Sequence, residues 1–401
     1  MGWTAPKAAG RMAAVADPVI AQVGALMRQR PDVLSLAQGM VCWAPPAAAR
    51  QAVALALAEA DPRLDRYGAM QGEEDLLAAV RRELTEARGL DLEGSDLLVT
   101  AGSNMAFHAI AQVLCDPGDE VLLPLPFYFN HAMAIRLAGG VPVPVAAGLV
   151  PDPGRLAAAI TPRTRAIVTI SPNNPSGLVT PPEVLAAINR LCHHHGLLHV
   201  SDEAYADFLH GTVPHGSPGR LPGSGAHTVS LFSLSKAYGM AGWRVGYAAV
   251  PRQLMGALAK VQDTVLICPP LVSQRAALAA LEAGPAWCRP HIAALGERRR
   301  QLFDAVATAR AGGQAVELLG PLDGAFYGLL RFPCSLGGAS LLRHLVLGHG
   351  VAALPGDSFG LPQVGGQSLL RLSYGMLDAT ALAEALGRLF EALAAPQATG
   401  D

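Results

Sequence analysis

Lysine is almost absent from this chain. Of 401 residues 30 are basic, yet the only lysines are Lys7, Lys236 and Lys260, the rest being arginine. Any chemistry that needs a primary amine on the protein therefore has three candidates. Charge is thin altogether, at 15% of residues, with 32 acidic side chains and a formal net charge of −2. A protein that grips nucleic acid by neutralising phosphates needs a basic excess, which is missing here. Hydrophobic residues make up 51%, which excludes a disordered chain and allows a large core. No apolar run reaches 18 residues, so no membrane-spanning helix is expected. Met1 to Arg11 holds no apolar block ahead of a small-residue cleavage site, so no secretory signal is expected. The six cysteines (Cys42, Cys115, Cys192, Cys268, Cys288, Cys334) are scattered without a C-x-x-C pair, which argues against a disulfide framework or a zinc motif. A Walker A string is missing, as is a G-x-G-x-x-G after the first strand. The expectation is a reduced, cytoplasmic protein of enzyme size with no membrane or nucleic-acid partner.

What is present is an alternation of short apolar strands and helical stretches. Strands are expected at Leu97 to Thr100, Glu120 to Pro124, Ala166 to Ile170, Leu197 to Ser201, Val229 to Phe232 and Val245 to Val250. Helical composition fills Gln51 to Ala60, Glu73 to Arg88, Met105 to Leu114 and residues 182–195. This order predicts an α/β fold whose large domain, residues 48–285, carries a mainly parallel sheet. After Pro285 the pattern changes to an arginine-studded helix near 286–310, short strands near 325–331 and 369–374, and helices at 339–349 and 378–394. Residues 286–401 thus read as a smaller α+β domain, with the N-terminal segment 1–47 joining it and the interface.

The segments that carry chemistry sit just after strand ends, where open α/β sheets bind ligands. Ser233-Leu234-Ser235-Lys236 continues into Gly242-Trp243-Arg244-Val245-Gly246. A lysine amine can condense with an aldehyde, and two hydroxyls with a guanidinium are suitable phosphate donors. An aldehyde beside a phosphate suggests pyridoxal phosphate. Asp202 follows a strand and can hold a pyridinium N–H, while Tyr205 can donate to a ring hydroxyl oxygen. Alone, Asp202 reads first as a helix cap. Asn174, fixed between Pro172 and Pro175, presents an amide to a ring hydroxyl or a carboxylate. Gly102-Ser103-Asn104 opens a helix, where free N–H groups make an anion site. Tyr128, in Pro126-Phe127-Tyr128-Phe129-Asn130, can cover one face of a flat heterocycle. Arg371 interrupts an apolar strand pattern, and an arginine buried there needs an anionic partner. A substrate carboxylate would serve, as would a structural Asp or Glu. Trp43, Phe326 and Tyr327 can line a pocket, but such aromatics more often fill a core. The run His193-His194-His195 points three ways around a helix, so a metal held by all three is implausible.

Taken in order, these motifs resemble the class I/II aminotransferases of the fold-type I pyridoxal-phosphate superfamily. The resemblance runs from Gly39 to Arg371 and includes Tyr67 with Gly72, the string 171–177, and Pro355-Gly356-Asp357-Ser358-Phe359-Gly360. It implies that Lys236 condenses with the cofactor and then moves the proton, that Asp202 holds the pyridinium N–H, and that Asn174 and Tyr205 meet the ring hydroxyl. It implies that Tyr128 stacks on the ring and that Gly102, Ser103, Asn104, Ser233, Ser235 and Arg244 bind the phosphate. Arg371 would clamp the substrate carboxylate, helped by Asn174 and Gly39, with Trp43 in the substrate pocket. Tyr67 would reach a phosphate in the neighbouring subunit of a homodimer. Many relatives carry Gly-x-Pro-Asp-Phe-x-x-Pro where this chain has Gly39-Met40-Val41-Cys42-Trp43-Ala44-Pro45-Pro46. That string and Tyr128-Phe129-Asn130 look closest to the plant-type aromatic aminotransferases, pointing to aromatic, methionine-like or other neutral amino donors and a 2-keto acid acceptor. The alternative is a different reaction on the same cofactor, such as elimination, replacement, S-adenosylmethionine chemistry or oxygen-dependent oxidation.

Overall fold

A computed structural model describes residues 7–395. The outer ends of the first and third expected segments, residues 1–6 and 396–401, lie outside the described residues.

The centre is a seven-stranded sheet. In spatial order its strands are Ser95–Thr100, Gly246–Pro251, Thr228–Ser233, Leu198–Asp202, Thr164–Ile170, Glu120–Pro124 and Val141–Val145. Gly246–Pro251 runs antiparallel to both neighbours, and every other pair is parallel. The mainly parallel sheet expected from the sequence is therefore present, with one inverted strand. Alternate residues of each strand enter opposite cores, as a period of two requires. Leu98, Val121, Leu123, Val168, Val200, Val229, Leu231 and Val250 pack on one side. Leu97, Val99, Phe232 and Tyr247 pack on the other, with Leu122 and Ile167 in a further cluster under Ile188 and Cys192.

The strand Val141–Val145 was not expected. Its sequence, Val-Pro-Val-Pro-Val, withholds two amide donors, which only an edge strand tolerates, and the sheet places it at the edge. The helix Phe129–Leu137 was also missed because its aromatic start reads as a pocket motif.

The expected helix near 286–310 is the second half of a longer helical run, Leu271–Ala311. The run breaks at Gly284, whose φ of 70° and ψ of 180° are not helical, just before Pro285. Beyond it, Gln367–Ser373 pairs antiparallel with both Tyr327–Pro333 and Leu354–Pro355. The N-terminal strand Leu34–Ser35 pairs in parallel with Val351–Ala352, and Leu36 accepts from the Ser373 amide at 2.8 Å. The helix Ala379–Ala394 closes this region, capped by Asp378, whose carboxylate accepts from the Ala381 amide at 2.8 Å. Residues 34–39 are thereby tied to the C-terminal region, and at their far end the Gly39 carbonyl accepts from Lys236 Nζ.

Candidate active site

One cleft gathers residues from five loops at the C-terminal ends of the parallel strands. Ser103, Asn104, Tyr128, Asn174, Asp202, Tyr205, Ser233, Ser235, Lys236 and Arg244 line it, with Ile170 and Ala204 as small apolar walls.

At one end lies an anion cradle. Gly102 caps the helix Ser103–Leu114 with φ 85° and no side chain, so the first amides of the helix point outward unmasked. A Cβ on Gly102 would come within 2.6 Å of an Arg244 guanidinium nitrogen. Arg244 takes a left-handed φ of 50°. Its hydrogen bonds run to the carbonyls of Ala241 (2.9 Å) and Ala101 (3.3 Å), which leaves its charge without a carboxylate among the described residues. Ser233 Oγ accepts from the Ser235 amide at 3.2 Å, and both serines line the cleft. Amides, hydroxyls and an unneutralised guanidinium suit a phosphate.

At the other end Asp202, 7% exposed, is held at fixed orientation. Its Oδ1 accepts from the Ala204 amide at 3.1 Å and its Oδ2 lies 3.1 Å from His131 Nε2. His131 is itself buried, stacked on Phe107 at 4.0 Å and edge-on to Tyr128 at 5.4 Å. A carboxylate so supported can keep a heteroaromatic N–H protonated. Tyr128 accepts from Asn130 at 2.9 Å, and burial pushes its phenol pKa upward, so it meets a ligand as a neutral ring.

Between the two ends stands Lys236. Its Nζ donates to the Gly39 carbonyl at 2.6 Å and lies 5.8 Å from the Tyr205 ring centroid. Burial, with the Arg371 and Arg244 charges, pushes its pKa down to about 8, against a smaller opposing pull from Asp202. A lysine in that range supplies the neutral amine that nucleophilic attack and proton abstraction both require.

Arg371 is 2% exposed on an inner strand of the C-terminal sheet. Its Nη1 donates to Asn174 Oδ1 at 3.2 Å and its Nη2 to the Ala37 carbonyl, while its plane faces the Tyr327 ring at 4.8 Å and the Phe359 ring at 5.3 Å. Burial lowers its pKa, and only tyrosines oppose that; no carboxylate among the described residues reaches it. The structural Asp or Glu left open by the sequence is not there. Asn174 Nδ2 in turn donates to Tyr205 Oη at 3.4 Å, and Tyr205 Oη sits 2.8 Å from Tyr327 Oη.

The family model for aminotransferase class I and II matches residues 31–389. This chain belongs to the class I and II aminotransferases. It is 34% identical over 388 residues to the aromatic aminotransferase ISS1 of Arabidopsis thaliana, covering 93% of this chain and 92% of that protein. It is 35% identical over 341 residues to the aspartate/prephenate aminotransferase of Thermus thermophilus, covering 83% and 86%. Among solved structures, the aspartate aminotransferase of Thermus thermophilus with maleate superposes with a TM-score of 0.86 at 32% identity, covering 97% and 100%. Amino-group transfer is therefore the reaction of this enzyme, and elimination or oxidation is not favoured.

Of the residues singled out from the sequence, the aminotransferase cleft brings together Gly102, Ser103, Asn104, Tyr128, Asn174, Asp202, Tyr205, Ser233, Ser235, Lys236 and Arg244, and joins Gly39 and Arg371 to them by hydrogen bonds. Two stand elsewhere. Trp43 sits behind the lysine loop: its indole N–H donates to the Ala237 carbonyl at 3.0 Å and its ring stacks on His291 at 5.3 Å. Tyr67 is 79% exposed and does not line the cleft of its own chain. Lys7 and Lys260 are exposed on the surface, as are the three consecutive histidines, and no metal-holding cluster occurs among the described residues. His131 was missed. The available signal was its place on the helix Phe129–Leu137, three residues after Tyr128, which puts both on one side of the chain.

Proposed function

We propose that the enzyme moves an amino group from an L-amino acid with an aromatic or other neutral side chain to a 2-keto acid, using pyridoxal 5′-phosphate joined to Lys236, as a homodimer in the cytoplasm. The observation that carries the reading is Arg371, a buried guanidinium with no carboxylate partner, two hydrogen bonds from the donors around Lys236. The donor set fits the group: an amide, hydroxyl and guanidinium cradle for phosphate, a carboxylate for the ring nitrogen, phenol and amide donors for the ring oxygen, and an amine for the aldehyde. When bound, pyridoxal phosphate supplies an electron sink that acidifies the substrate Cα–H.

The chain's residues do the rest. Asp202, backed by His131, keeps the ring nitrogen protonated, and Tyr128 covers one ring face. Arg371 and Asn174 hold the substrate carboxylate, which replaces the carbonyl contact now made to Ala37. Lys236 Nζ, whose pKa lowered to about 8 gives it a larger neutral fraction than an ordinary lysine, accepts the Cα proton and would return it to the carbon derived from the cofactor's aldehyde. Gly39, whose carbonyl accepts from Nζ, fixes the direction from which the amine works. The neutral side-chain preference is supported by the cations that the described residues of one chain bring to the cleft: Lys236, Arg244 and Arg371 each have a role.

The homodimer is supported by exposed apolar side chains, among them Leu55, Leu57, Tyr67 and Val265. In such a dimer Tyr67 would reach the partner's phosphate. The division into 1–47 with 286–401 and 48–285 is supported by the pairing of Leu34–Ser35 with Val351–Ala352 and by the break at Gly284.

A panel of amino acids mixed with the loaded enzyme tests the reading. Expected is a change in cofactor absorbance with aromatic and neutral donors, yielding one keto acid per cofactor. Ammonia release or oxygen uptake without a keto-acid acceptor would contradict it.

A further inference from the structure

Counting protons around Tyr205 assigns a role to a residue outside the machinery described so far. Arg371 Nη1 can only donate, so the Asn174 atom facing it is the carbonyl oxygen, and the amide nitrogen must face Tyr205. That nitrogen donates, filling one of the two lone pairs on Tyr205 Oη. The second neighbour of this oxygen is Tyr327 Oη at 2.8 Å. Burial pushes both phenols upward in pKa, so each keeps its proton, and one must donate to the other. If Tyr205 donated, its single proton would be turned away from the cleft. If Tyr327 donates, both lone pairs of Tyr205 are filled, and its proton is free to point at a ligand oxygen.

Three further observations hold Tyr327 in that place. It is fully buried. A Cβ on Gly39 would collide with its hydroxyl, and a Cβ on Gly177 with its carbonyl oxygen, so glycines stand where its ends pass. Its ring faces the Arg371 guanidinium at 4.8 Å. We propose that Tyr327 is a positioning residue for the transfer reaction: its hydroxyl donates to Tyr205 and so turns the Tyr205 proton into the cleft, while its ring seats the Arg371 clamp. The two functions are separable because phenylalanine keeps the ring and lacks the hydroxyl.

This inference rests on the cofactor reading above, and its test separates the two. Wild type, Tyr327→Phe, Tyr205→Phe, the double variant and Tyr327→Leu are loaded with pyridoxal phosphate. The bound cofactor's absorbance is then titrated against pH, and KM and kcat are measured for one amino donor. A donor to the ring oxygen stabilises its anionic form, so losing it makes that oxygen more basic and raises the titration midpoint. Tyr205→Phe is expected to raise the midpoint by on the order of one pH unit. Tyr327→Phe should raise it less and leave KM near wild type, and the double variant should match Tyr205→Phe. Tyr327→Leu should also raise KM by roughly 30-fold, the fold-change that corresponds to a desolvated cation–π contact. A Tyr327→Phe midpoint equal to wild type, or a double variant whose shift is the sum of the singles, overturns the proposal. A wild-type protein that binds the cofactor without a pH-dependent band overturns the cofactor reading instead, and this inference with it.

Discussion

A guanidinium buried without a carboxylate costs folding free energy, and Arg371 meets that condition with only an amide oxygen, a main-chain carbonyl and two ring faces around it. Such a residue is kept for what it binds. Arg371→Met should therefore lower kcat/KM for an amino donor by about 100-fold, the loss of one to two charge-assisted hydrogen bonds at about 1.5–3 kcal/mol each. The cofactor-free protein should melt no lower than wild type, because an apolar side chain of similar reach suits that strand. Kinetics and thermal unfolding on the same preparation check both halves. Residues of this kind were legible in the sequence because they violate their surroundings: one arginine in an apolar strand, one lysine among hydroxyls. His131 was not, and Tyr327 was legible only as a core or pocket aromatic. Each is an ordinary residue locally, and its role arises from a contact across the fold, 122 residues away in the case of Tyr327 and Tyr205.

Among the elements, the helix Ser103–Leu114 carries the clearest division of labour. Its N-terminal amides stay open because the cap is a glycine with φ 85°, and Arg244 lies where a side chain would stand. Gly102→Ala should weaken binding of pyridoxal phosphate at least tenfold in an equilibrium titration, since the left-handed backbone costs about 1–2 kcal/mol and the methyl group displaces Arg244. An unchanged affinity would mean that the phosphate sits elsewhere. The central strands were readable as elements because buried parallel strands are continuous apolar runs. The edge strand Val141–Val145 was not, because its alternating prolines signal a turn unless the sheet edge is known. The inversion of Gly246–Pro251 was likewise unreadable, since strand direction is set by which neighbours a strand finds rather than by its own composition.

For the molecule as a whole, the cleft described above comes from a single chain, while Tyr67 lies exposed away from it. If two chains share their sites, a Tyr67→Ala subunit and a Lys236→Ala subunit, each impaired alone, should recover activity when unfolded together and refolded, because one site of the mixed dimer then carries neither change. Mixtures that gain nothing would show each chain to work with its own residues. The fold at this scale was legible from the order of strands and helices; the exposed apolar residues that point to a second copy were not, because exposure is a property of the folded surface.

Everything proposed for the site turns on one amine. Reduction of the enzyme–pyridoxal phosphate complex with borohydride, followed by digestion and peptide mapping, reads it directly. Expected is a single pyridoxyl-labelled peptide containing Lys236, with Lys7 and Lys260 unlabelled. Label on either of those two lysines in place of Lys236, or undiminished labelling of a Lys236→Ala protein, would contradict it.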